Sequence, residues 1–187
     1  ATTVICTDKT GTLTQNQMSV NDIKFYGLNS QMLGADKKSG IIKEGIVLNS
    51  TATLDLKNPS RPSVLGNPTE GALLLWLHNM GINYMKLKDA AEVVEELPFS
   101  TERKYMATVV KSAFIQGKNI LYVKGAPEIV RSLCKHVDGD VSDDTITRQL
   151  TEYQNKAMRT LGFAYQVLEN GDKTIENGKV VAENMTF

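Results

Sequence analysis

Tyr105-Met106-Ala107-Thr108-Val109-Val110 and Ile120-Leu121-Tyr122-Val123, joined around Gln116-Gly117-Lys118-Asn119, decide the fold of this 187-residue chain. Both runs are rich in β-branched and aromatic residues and the joining segment is good turn chemistry, so together they predict an antiparallel hairpin. Glu92 to Glu96 reads as another strand, halted by Pro98, and Phe163 to Leu168 as a further one. A helix is predicted from Pro127, with Ile129, Val130, Leu133, Cys134 and Val137 on one face. A second runs from about Asp143 to Leu161, with Ile146, Leu150, Tyr153, Ala157 and Leu161 as its stripe and Gly162 as its stop. Asn170-Gly171 and Asn177-Gly178 read as turns. Strands in hairpins with helices interspersed predict an α+β fold, an antiparallel sheet flanked by helices, rather than a doubly wound parallel sheet.

Upstream, Asn67 is a good N-cap, Pro68 sits at the first helical position, Glu70 completes an N-x-x-E capping box and Gly81 ends the helix. Leu73, Trp76, Leu77 and Met80 recur at helical spacing as its buried stripe. Asn58 to Pro62 is a break. Ile46-Val47-Leu48 with Ala52, Leu54 and Leu56 suggests a short helix, while Gly34, Gly40 and Gly45 make residues 28–45 read as a surface excursion. Asn21 to Tyr26 alternates like a strand closed by Gly27, and Val4-Ile5-Cys6 reads as a strand feeding a turn. His78 and His136 read as helix residues without partners for ligation or base catalysis.

With 41% hydrophobic and 22% charged residues the composition is that of a soluble globular protein. The 21 basic and 21 acidic residues cancel, which speaks against nucleic acid as a partner. Cys6 and Cys134 are too few for a disulfide framework and lack metal-ligand spacing, which fits a reduced, cytosolic setting. No apolar run approaches the ~20 residues that span a bilayer, and no signal-peptide pattern opens the chain. The triplets Asn49-Ser50-Thr51 and Asn184-Met185-Thr186 match a glycosylation acceptor but read as chance.

Asp8-Lys9-Thr10-Gly11-Thr12-Leu13-Thr14 places a carboxylate where a strand runs into a turn, a position from which it can attack a phosphoryl group. The same residues are also plain turn chemistry. The whole heptapeptide resembles the phosphorylation motif of P-type ATPases, the cation pumps that pass through an aspartyl-phosphate. Four further segments resemble motifs of the nucleotide-binding domain of type II, calcium-pump-like members, so that the resemblance runs from Asp8 to Phe187. In Gly66-Asn67-Pro68-Thr69-Glu70-Gly71-Ala72-Leu73, the resemblance places Glu70 near adenine, although a glutamate there also caps its own helix. In Leu97-Pro98-Phe99-Ser100-Thr101-Glu102-Arg103-Lys104 it makes Phe99 the stacking platform for adenine and Lys104 a neighbouring cation. The polar residues that follow Phe99 favour a rim position over the core. In Lys124-Gly125-Ala126-Pro127-Glu128 the resemblance makes Lys124 the pocket lysine, with Gly125 small enough to let a nucleotide approach the backbone. In Met158-Arg159-Thr160-Leu161, Arg159 faces the phosphates, an assignment that competes with a purely helix-terminal role.

Walker, Rossmann and zinc-protease signatures do not occur, nor do the later phosphorylation-domain motifs of the family. The resemblance therefore implies residues 1–18 as the strand and motif of a haloacid-dehalogenase-like phosphorylation domain. Residues 19–183 are the nucleotide-binding domain inserted in it, and 184–187 the return. It implies ATP as ligand and Mg²⁺ as cofactor, held by Asp8 and Thr10 in the intact pump, with Asp8 receiving the γ-phosphate to drive ion transport. It also implies a cytoplasmic domain of an integral membrane protein whose partners are the phosphorylation, actuator and membrane domains of the same polypeptide. The chain itself is expected to be soluble and monomeric, and to bind nucleotide without turnover. A haloacid-dehalogenase-type phosphatase is the alternative. It is disfavoured because Thr10 stands where such phosphatases carry a second aspartate, and threonine does not readily activate water. A non-catalytic partner-binding domain is a third reading.

Overall fold

An apolar strand buried on both faces must find partners for every backbone N–H and C=O, and the two runs quoted above find them in each other along one edge and in a flanking strand along the other. The computed structural model describes residues 3–4, 6–8, 17–28, 31–58 and 62–187. In chain order the elements are α1 (Lys37–Leu48), β1 (Thr53–Asp55), β2 (Ser63–Leu65), α2 (Pro68–Asn79), α3 (Tyr84–Ala90), β3 (Glu92–Leu97), β4 (Tyr105–Lys111), β5 (Asn119–Gly125), α4 (Pro127–Ser132), α5 (Asp143–Asn155), β6 (Gly162–Val167), β7 (Ile175–Glu176) and β8 (Lys179–Val180). They fall into two compact units, one of Ala1–Asp22 with Ser50–Tyr84, the other of Ile23–Asn49 with Met85–Phe187. The described helices include none long and apolar enough to cross a membrane.

In the larger unit β3-β4-β5-β6 form one antiparallel sheet, as the hairpin pattern predicts. Cross-strand partners Tyr105↔Gly125, Ala107↔Val123 and Val109↔Leu121 put Tyr105, Ala107, Val109, Leu121 and Val123 on one face. There they pack with Leu97 of β3, with Val130 and Cys134 from around α4, and with Val180 and Met185 near the end of the chain. Residues 185–187 are tied down by backbone bonds: Tyr165 and Thr186 exchange a pair at 2.9 and 2.8 Å, and Met185 O accepts from Lys135 and His136. His136 thus lies in a bridge to Thr186, not in the helix expected for it. Burial pushes the Cys134 thiol up to about 12, so it stays neutral and donates to Val130 O.

The opposite face carries Thr108, Val110, Tyr122 and Lys124, and α1 covers it. Gly45 makes the approach close: a Cβ there would lie 2.7 Å from the Tyr122 ring. The residue before it on the helix, Glu44, has no exposed surface at all. Its carboxylate accepts from Ser112 Oγ at 2.8 Å, Ala113 N at 2.8 Å and Tyr122 OH at 2.6 Å. A buried carboxylate is tolerated only when hydrogen-bonded in this way. Burial, and then the Glu44 charge, push the Tyr122 hydroxyl far above the usual phenol range, which keeps it a donor.

The smaller unit pairs β1 with β2 and lays α2 on them, with Leu54, Leu74 and Leu77 buried. Tyr84 OH accepts from Leu54 N at 3.0 Å. Asn67 caps α2 through Thr69 N and Glu70 N, with Pro68 at its first position, as the sequence predicts.

Several local expectations are corrected. The excursion at 28–45 is largely α1, capped by Asp36, whose carboxylate accepts from Ser39 N, and the expected helix over 46–56 is its end followed by β1. Of the glycines that read as breakers, Gly40 and Gly45 are where the rings of Phe114 and Tyr122 meet the helix. Asn21 to Tyr26 forms no strand, because the Gln31 side chain takes both Phe25 N (2.7 Å) and Phe25 O (2.9 Å). The described residues of 3–8 are irregular and exposed rather than a strand. On α2 the buried positions are Glu70, Gly71, Ala72, Leu74 and Leu77, while Met80 is exposed. That helix is apolar around much of its girth, so spacing alone does not select its face. Helices α4 and α5 stop at Ser132 and Asn155, short of Val137 and Leu161; Ala157 turns left-handed (φ 54°) and Gly162 begins β6 instead of ending a helix. Helix α3 has no counterpart in the sequence reading.

Glu44→Ala is expected to lower the stability of the chain by roughly 3 kcal/mol, because three donors lose their acceptor inside the protein. Tyr122→Phe, which removes one donor, costs about 1 kcal/mol; urea unfolding followed by circular dichroism checks the ratio.

Candidate functional site

Pro98 lacks the N–H that would continue β3, so the strand ends there and the chain turns outward. The next residue, Phe99, is 58% exposed, an unusual position for a phenylalanine beside a buried leucine. The turn is closed locally: Ser100 O accepts from Lys104 N at 2.8 Å and Ser100 Oγ from Arg103 N at 3.1 Å. Arg103 folds back over the Tyr105 ring (5.8 Å) and donates to Pro98 O. Lys104 closes the turn in a left-handed conformation (φ 59°), a strain that non-glycine residues adopt chiefly where surroundings impose it.

The imposing neighbour is Gly125. Lys104 O accepts from Ala126 N at 2.9 Å, and a Cβ on Gly125 would stand 2.2 Å from that same oxygen and 2.7 Å from Tyr105 Cα. Gly125 is therefore required by the β4–β5 approach itself, a reason the sequence reading did not supply. Lys124, one residue earlier, is paired with Met106 and projects from the α1 face. It is only 4% exposed, and its Nζ donates to the backbone carbonyl of Asn49. Asn49 in turn accepts from Thr108 Oγ1 at 3.1 Å through its own Oδ1. Asn49 is buried, which supports reading its glycosylation triplet as chance.

The structure thus brings Phe99, Lys104, Lys124 and Gly125 to one end of the sheet. Arg159 is exposed in the connection between α5 and β6, four residues beyond the helix, so the helix-terminal alternative does not describe it. Gly162, at the end of that connection, pairs with Gly125. Glu70 and Asp8 belong to the other unit. The Glu70 carboxylate is buried, and its Oε2 accepts from Thr51 N (2.7 Å), Thr51 Oγ1 (2.7 Å) and Ala52 N (3.1 Å), so it orders residues 51–52 instead of merely capping α2. Asp8 is exposed, and Thr10 lies outside the described residues.

Asn49, Thr108 and Glu44 went unread as site residues. An asparagine closing an apolar helical run is a C-cap signal, hidden here by reading the helix on through Asn49 to Leu56. A separate groove of about 500 Å³ lies between α4 and α5, but a two-pronged ion pair, Arg131 to Asp143 at 2.7 and 3.1 Å, satisfies its main charges, and none of the sequence-predicted residues lines it.

The family model described as P-type ATPase, cytoplasmic domain N, matches residues 39–187. Among curated proteins the chain is 34% identical to calcium-transporting ATPase 1 of Lactococcus lactis over 89% of its own length and 19% of that protein's. It is 33% identical to calcium-transporting ATPase PAT1 of Dictyostelium discoideum, covering 91% of the chain and 16% of the relative. With the plasma membrane-type calcium-transporting ATPase 5 of Oryza sativa it shares 31% identity over 94% of the chain and 18% of the relative. The chain thus spans less than a fifth of these relatives.

Gly125→Ala should destabilise the chain by about 1–3 kcal/mol, since the methyl group meets backbone atoms that cannot rotate away. Thermal unfolding measures the loss, and amide shifts in the 99–106 turn should move with it.

Proposed function

The chain belongs to the family of P-type ATPase cytoplasmic N domains, and on that premise we propose that it binds ATP, with Phe99 as the platform on which adenine stacks. One observation carries this reading: the Phe99 ring is held out in solvent by a turn whose every other side chain is polar or turned back. Apolar area is left exposed there at a cost that a stacked base repays with ~1–3 kcal/mol by analogy with nucleic-acid sites. Lys104, exposed on the same turn, supplies a cation. Lys124 and Gly125 line the approach to the sheet end, and Arg159 offers a guanidinium fork suited to phosphate oxygens. The motif resemblance adds Glu70.

In the intact pump the bound nucleotide is delivered to Asp8. A carboxylate oxygen of Asp8 attacks the γ-phosphorus, the bond from that phosphorus to the bridging oxygen breaks, and ADP departs with the electron pair. The exposed Asp8 carboxylate, a hard oxygen donor, fits Mg²⁺, and with Thr10 it would hold the ion, which would neutralise phosphate charge. Residues 1–18 and 184–187 then belong to the phosphorylation domain and 19–183 to the nucleotide-binding domain. The partners are the phosphorylation, actuator and membrane domains of one polypeptide at the cytoplasmic side of a membrane. The relatives' names make calcium the proposed cargo. Alone, the chain is a monomer that binds nucleotide and does not turn it over.

Nucleotide titration followed by NMR is expected to give a dissociation constant on the order of 1 mM, about 4 kcal/mol, with shifts clustered at Phe99, Lys104, Lys124 and Glu70. Phe99→Ala should abolish measurable binding and Asp8→Ala should leave it unchanged. Shifts elsewhere, or stable phosphate incorporation by this chain alone, would contradict the reading.

A further inference from the structure

Across β4 and β5 the face under α1 presents three buried polar side chains, Thr108, Tyr122 and Lys124. Tyr122 reaches Glu44, whereas Thr108 and Lys124 both reach Asn49. Asn49 is the C-cap of α1: its N–H donates to Gly45 O at 3.2 Å, while its φ of −90° and ψ of 55° turn its own carbonyl out of the helix. That carbonyl stands at the end of a twelve-residue helix, where the last acceptors lack helical donors and the partial negative charge of the macrodipole collects. It is the group to which the Lys124 ammonium donates. What orients it is the side chain of the same residue, whose Oδ1 is clasped by Thr108 Oγ1 at 3.1 Å. Thr108 and Asn49 are sealed from water, so solvent does not compete for either partner.

We propose that Asn49 and Thr108 are positioning residues that aim the Lys124 ammonium for the nucleotide: Thr108 fixes the Asn49 peptide, and its carbonyl fixes Lys124. This rests on the reading of Lys124 as a nucleotide-site residue. Lysine has a flexible four-carbon stem, and an ammonium aimed at a phosphate or ribose oxygen needs a fixed second point of attachment. The end of α1 provides it.

The test uses the 187-residue chain with ¹⁵N-labelled lysine, the Lys124 ammonium resonance being assigned by its loss in Lys124→Met. Thr108→Val, nearly isosteric, should shift that resonance without nucleotide and raise the dissociation constant for ATP roughly three- to tenfold. Thr108→Ser should restore both. In the Lys124→Met background Thr108→Val should have no further effect on binding. Asn49→Ala, which opens the clasp from the helix side, gives the same pattern should the valine variant not fold. An unaltered ammonium resonance in a folded Thr108→Val protein, or binding losses that simply add, would overturn the proposal. A wild-type chain that fails to bind ATP while its Lys124 resonance still answers to Thr108 would instead overturn the nucleotide reading and leave the positioning of Lys124 standing.

Discussion

A fully buried carboxylate, that of Glu44, constrains the strand register of the larger unit. Its three donors come from two places: Ser112 and Ala113 just past β4, and Tyr122 in β5. They converge only in the observed register, in which Thr108 faces Tyr122 and Tyr105 faces Gly125. A slip of one residue would turn Tyr122 to the other face, strand the Glu44 charge and drive Lys124 into the apolar cluster around Val130 and Met185. Hydrophobic burial alone is less discriminating, because both faces of β4 and β5 are buried and each face carries apolar residues.

The same register makes the site. It sets Gly125 against Lys104 O, which holds the turn bearing Phe99, and it sets Lys124 beneath the end of α1. The buried lysine and the exposed ring thus share one origin. One is fixed by hydrogen bonds at a helix end, the other by the absence of an N–H in Pro98. Asp8 and Glu70 lie in the other unit, and the chain passes between the two units at 22–23, 49–50 and 84–85.

Legibility in the sequence followed the range of the interactions involved. The β4–β5 hairpin and the α2 start were readable because turn residues and Asn67-Pro68 act on their immediate neighbours. Phe99 was readable as exposed because its chain neighbours are polar. Helix α1 was not, since Gly40 and Gly45 break helices locally and are justified only by rings of Phe114 and Tyr122, more than seventy residues away. Gln31 suppressed the strand at 21–26 by a side-chain contact that no periodicity contains. Motif resemblance named Lys124 and Gly125, but not that the first is buried against Asn49 or that the second is required by Lys104 O. Both facts arise from strand register and helix packing.

The α1 clasp and the β4–β5 register together hold the proposed nucleotide site at Phe99 and Lys124. A crystal structure of the chain with ADP tests it most directly. The account predicts adenine against the Phe99 ring, with the Glu44 contacts and the Lys124-to-Asn49 bond in place. Nucleotide density in the groove between α4 and α5, with Phe99 still bare, would contradict it.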